Sequence, residues 1–145
     1  MPYTCPQCGA EYQTHENCQE RFNLCLALEF ENQAAWRVHH LTVPCYMVQH
    51  NQYSRHAWLE ALKLINQSLQ HPLTPASAGK TKFEQSVRNW KITSDPQIAK
   101  FNTMAWSRTI AGIRMDDPET YCADIQLWAK SILQDTAPIL PQCTI

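Results

Sequence analysis

From Cys18 onward, apolar residues recur along this chain with a helical period, and no strand-type alternation runs long enough to build a sheet. The stretch CQERFNLCLALEFEN is rich in Leu and Ala and lacks Gly and Pro. Phe22, Leu26 and Glu29 lie near one stripe, and Leu24, Cys25 and Leu28 widen it almost to the full circumference, which predicts a central helix. A second helix is predicted from about Gln33 to Gln49 with Pro44 inside it. Proline removes one intrahelical hydrogen bond and clashes with the carbonyl of His40, so a kink or a break into two short helices is expected there.

A third helix starts near Ser54, a good N-cap, and Trp58, Leu62, Ile65 and Leu69 follow at i, i+4, i+7 and i+11. Phe83, Val87 and Trp90 suggest a short helix, and a weaker one is expected from about Gln97 to Ile113, containing Phe101, Trp106 and Ile110. The last helix has Asp117 as N-cap, Pro118 at its first position and Glu119 in its first turn, with Tyr121, Ile125, Trp128 and Ile132 along one face. The tryptophans at these spacings read as packing residues. The expected fold is all-α: an irregular bundle of about five helices with an N-terminal zinc-knuckle loop. One domain spans 1–145, divided into a metal-binding loop (1–17), a helical core (18–70), a flexible connection (71–81), C-terminal helices (82–135) and a tail (136–145).

Composition narrows the function classes. The 145 residues carry a net charge of −1 with scattered Lys and Arg, which argues against nucleic acid as a partner. The amino terminus has no basic region followed by an apolar stretch, and no apolar run approaches the ~20 residues that span a bilayer, so a cytoplasmic protein with no membrane partner is expected. P-loop, dinucleotide, serine-elbow and paired-carboxylate motifs do not appear. Seven cysteines, an odd number, fit metal-held thiolates better than a disulfide framework.

Metal chemistry is best signalled by CPQCG at residues 5–9. Cys5 and Cys8 can place both sulfurs on one tetrahedral Zn²⁺, and Gly9 lets the backbone curl behind them with positive φ. A redox CxxC normally opens a helix after a strand, and here no strand is expected to lead in. Cys18, at the amino end of the first helix where the dipole favours a thiolate, is the natural third ligand. Two histidines compete for the fourth place. His15 would close a local C-x2-C-x6-H-x2-C cluster at low entropic cost. His39 would tie the knuckle to the second helix through C-x2-C-x9-C-x20-H.

The combination of CPxCG, the third cysteine leading into CQERFNLCLALE, and HHLTVPCYMVQH resembles an uncharacterised bacterial family, as do WSRTIAGI and DPETYCADIQLWAKSIL in the carboxyl half. The resemblance covers nearly the whole chain and implies no activity. It implies that Cys5, Cys8, Cys18, His39 and His50 recur while His15 lies in a variable stretch, which tips the fourth ligand to His39. Asn51 departs from the family, whose members tend to have proline there.

His39, Val43, Tyr46 and His50 share one helical azimuth, but a rise of about 1.5 Å per residue sets the two histidines roughly 16 Å apart in a straight helix. One ion therefore cannot take both, and His50 is expected either as a helix-end residue or in a polar cluster with Tyr46 and Glu29. Glu29 interrupts the apolar LALEF and is a candidate to orient a metal-bound histidine or to act as a general base; His40, about 100° round the helix from His39, is a candidate base or substitute ligand. Three function classes follow. The first is a zinc-stabilised helical domain that binds a small molecule or protein partner. The second is a hydrolase-type metalloenzyme with an open zinc position and Glu29 or His40 as base, Tyr46 and His50 being further candidates. The third is a redox or metal sensor.

Overall fold

The chain begins with a small hairpin rather than a bare loop. In the computed structural model, which describes residues 3–13, 16–50, 55–70 and 106–139, strands β1 (Tyr3–Thr4) and β2 (Glu11–Tyr12) pair antiparallel, Tyr3 opposite Tyr12. A two-residue strand has no room for alternation, which is why no pattern announced it and why a strand does lead into Cys5 after all. Helices α1 (Cys18–Glu31), α2 (Gln33–Trp36), α3 (His39–Gln49), α4 (Arg55–Gln70) and α5 (Pro118–Thr136) follow, with 3₁₀ turns at Ile110–Gly112 and Ala137–Ile139. The described residues are thus mostly helical, as expected. His15, Asn51, Ser54, Cys143, the 71–81 connection and the Phe83–Trp90 helix lie outside the described residues. Of the expected helix from Gln97 to Ile113, the described end holds only the 3₁₀ turn.

Local chemistry explains most helix ends. Asn17 caps α1 by accepting from the Glu20 N–H (2.9 Å), and Asp117 caps α5 by accepting from Thr120 (2.8 Å) with Pro118 at the first helical position. Asn32 does two jobs: its N–H closes α1 on the Leu28 carbonyl, and its side chain opens α2 on the Ala34 N–H. The predicted helix from Gln33 to Gln49 does break, but at Arg37–Val38, not at Pro44. There the Val38 N–H reaches back only three residues, to Ala35, and α3 restarts from the Val38 carbonyl. Pro44 stays inside α3. A helix-interior proline costs roughly 3 kcal/mol, and burial of Leu41, Thr42, Cys45, Tyr46, Val48 and Gln49 around it offsets that.

The core forms where α3, α4 and α5 pack on one another, filled by Trp58, Ile65, Tyr121, Ile125, Trp128 and Ile132, all fully buried. The predicted faces of α4 and α5 are the ones buried. The first helix is not central as expected: its Cys18, Phe22, Cys25 and Glu29 face inward, while Leu24 is half exposed and Phe30 is 69% exposed. Arg21 pins α1 to the 3₁₀ segment by donating to the carbonyls of Ile110 (3.1 Å) and Ile113. Among the described residues no helix is long and apolar enough to cross a membrane.

Candidate metal centre

The knuckle is built as its residues suggest. Between the two strands the chain turns through CPQCG, with the Gly9 N–H on the Cys5 carbonyl (2.9 Å) and the Cys5 N–H on the Ala10 carbonyl (2.8 Å). Gly9 takes φ +81°, the left-handed conformation that glycine adopts without strain. Both sulfurs therefore point to the same side, and Cys18 meets them from the first turn of α1, its Sγ 3.5 Å from that of Cys8.

The fourth donor is His50. Donor atoms of Cys5, Cys8, Cys18 and His50 all lie within 4.8 Å of one another, and all four residues are buried. This set can hold a metal ion. His39, expected in this place, stands elsewhere: its Nδ1 is 2.8 Å from Glu29 Oε1. The end of α3 is held on the core by its neighbours, which fixes where His50 emerges. Gln49 is fully buried, donating to the Arg108 carbonyl (2.8 Å) and accepting from Trp128 Nε1 (3.1 Å), while Trp58 Nε1 donates to the Val48 carbonyl (3.2 Å).

The orientation of the His50 ring follows from one hydrogen bond. Nδ1 lies 2.7 Å from the Tyr46 carbonyl, an acceptor only, so Nδ1 carries the proton and Nε2 is the nitrogen left with a lone pair for a metal. Tyr46 also stacks on the imidazole (4.1 Å, 20°), and Phe22 stacks on Tyr46 (4.1 Å, 1°), so α1 and α3 clamp the ring. The expected pairing of His50 with Tyr46 is present; Glu29 is not part of it.

Tyr12, which no motif singled out, donates its hydroxyl to Cys18 Sγ (3.1 Å). Its pairing with Tyr3 across the hairpin brings it there, a placement visible only once the register is known. The electrostatics single out Cys18 as the thiolate. Hydrogen bonding from Cys8 pulls its pKa down to about 4 against the opposing effect of burial, with the Tyr12 hydroxyl adding to the pull. The same bond and burial push Cys8 up. Burial, then the neighbouring cysteine charges, raise Tyr46 to about 12.

Glu29 and His39 form a second, separate cluster. The Glu29 carboxylate is 1% exposed and accepts from His39 Nδ1 (2.8 Å), Thr42 Oγ1 (2.5 Å) and the Tyr121 hydroxyl. A buried carboxylate has to be satisfied in this way. His40 is buried, and burial followed by the charge of His39 lowers its pKa to about 4, leaving it neutral. Cys25 and Cys45 are fully buried and Cys122 nearly so, with burial raising each thiol pKa, consistent with packing roles.

No curated protein matches this chain, and no solved structure matches it. A family of unknown function, DUF5946, matches residues 3–137, and with nearly its whole length covered the chain belongs to that family.

Proposed function

We propose that Cys5, Cys8, Cys18 and His50 bind one Zn²⁺ in a closed, structural site, and that the protein is a metal-clamped helical domain that binds a small molecule or protein partner in the cytoplasm. The observation that carries the metal reading is the convergence of three sulfurs and one nitrogen within 4.8 Å, all buried. A tetrahedral ion with Zn–S bonds of ~2.3 Å has S···S edges of ~3.8 Å, and the Cys8–Cys18 separation of 3.5 Å is close to that edge. Three thiolates and an imidazole are the donor set that structural zinc sites favour. Four protein ligands leave no position for a reactive water, which favours stabilisation over catalysis at this ion.

The site joins the hairpin to the start of α1 and the end of α3, so a bound ion would tie these three segments together. The six cysteines among the described residues carry no disulfide, which fits a reducing compartment. Metal analysis with X-ray absorption on the purified protein tests the reading. About one zinc per chain with three sulfur neighbours and one nitrogen is expected. A protein without bound metal would overturn the site, and an exchangeable oxygen ligand would replace the structural reading with a catalytic one.

A further inference from the structure

Three thiolates outweigh one Zn²⁺ by a single negative charge, and the four side chains that would surround the ion are all buried. Charge held away from water has to be met by hydrogen-bond donors. Tyr12 brings one: its hydroxyl donates to Cys18 Sγ at 3.1 Å. The hairpin holds it there. Tyr12 lies opposite Tyr3 in the register, the two rings stack (6.4 Å, 23°), and only Tyr12 is turned inward, 4% exposed against 45% for Tyr3. Phenylalanine would fill the same apolar space, whereas a phenol buried there needs a partner for its hydroxyl. That partner is a sulfur of the candidate site.

We propose that Tyr12 is a positioning residue of the metal centre, its hydroxyl taking up the excess negative charge of the three thiolates through Cys18. It acts on the sulfur and does not touch the ion. A phenol has one proton to give, and here that proton is committed to Cys18, so Tyr12 fixes the direction of a sulfur lone pair as well as its charge. A donor behind a metal ligand tunes how strongly that ligand gives electrons to the ion and how firmly the ion is held. The inference rests on the zinc reading above and deepens it, naming the residue that governs the electronic character of the same site.

Co²⁺, which is coloured in tetrahedral sulfur sites, is the probe, loaded into the full chain in place of Zn²⁺. Without the hydrogen bond the Cys18 sulfur gives up an electron more readily. The sulfur-to-cobalt charge-transfer band of Tyr12→Phe should therefore move to longer wavelength, and its metal Kd should rise roughly tenfold. Tyr3→Phe, which removes an exposed hydroxyl from the same hairpin, should leave both as in the wild type. A Tyr12 that merely fills space would change stability without moving the band. A second measurement needs no variant: in the wild type loaded with a magnetic cadmium isotope, the Tyr12 hydroxyl proton should exchange slowly with water and couple to the metal through Cys18. An unmoved band in Tyr12→Phe, or the absence of that coupled proton where the variant does not fold, would overturn this inference and leave the zinc reading standing. A wild type that takes up no cobalt would overturn both.

Discussion

Replacing His50 by alanine should cost metal affinity, and replacing His39 should not. Structural Zn²⁺ sites in small domains are worth roughly 10–16 kcal/mol, so one ligand in four carries about 3 kcal/mol and its loss weakens binding on the order of a hundredfold. Where free zinc saturates the wild type but no longer saturates the variant, a hundredfold drop removes up to about 2.7 kcal/mol of stability. For a domain of this length that lowers Tm by roughly 5–10 °C. His39→Ala will also lower Tm, because it strips a donor from the buried Glu29 carboxylate. Melting temperature therefore cannot separate the two histidines, and affinity can. Competition with a chromophoric chelator should give a much higher zinc Kd for His50→Ala and an unchanged one for His39→Ala. Zinc released from His39→Ala but retained by His50→Ala would refute the ligand assignment and the tautomer reasoning behind it.

Two further outcomes follow from the buried polar groups. Glu29→Ala should destabilise the fold by about 3–5 kcal/mol in urea melts, because it leaves Tyr121 and the His39 Nδ1–H without their acceptor while Thr42 keeps only the Val38 carbonyl, yet zinc content should hold; a loss below about 1 kcal/mol would show that water replaces the carboxylate. His40 should make stability fall with acid: its pKa drops from 6.5 to about 4 on folding, so the unfolded chain binds the extra proton between those values and stability is lost as pH falls through them. The total is up to about 3 kcal/mol, and urea melts should show it shrinking in His40→Gln relative to wild type, while an unaltered pH dependence would place the acid sensitivity elsewhere.

How legible the molecule was from its sequence depended on how local each feature's cause is. The buried faces of α4 and α5 were readable because Trp58, Leu62 and Ile65, and Tyr121, Ile125, Trp128 and Ile132, recur at helical spacing. Asp117, Pro118 and the turn at Gly9 were readable because caps and positive φ are decided within a few residues. The break at Arg37–Val38 was not, since it depends on Asn32 closing one helix and opening the next. The fourth member of the cluster was hardest, because His39 and His50 share a helical face and periodicity treats them alike. Chain entropy separates the two only slightly: lengthening the loop from Cys18 by eleven residues, from His39 to His50, costs about 0.4 kcal/mol. A single buried charge-assisted hydrogen bond is worth about 1.5–3 kcal/mol, so Glu29 on α1 outweighs that preference by engaging His39. The buried Gln49 bonds to Trp128 and Arg108 then fix the far end of α3, and His50 meets the knuckle. Partners far away in sequence made the choice, so no spacing rule within the segment had access to it.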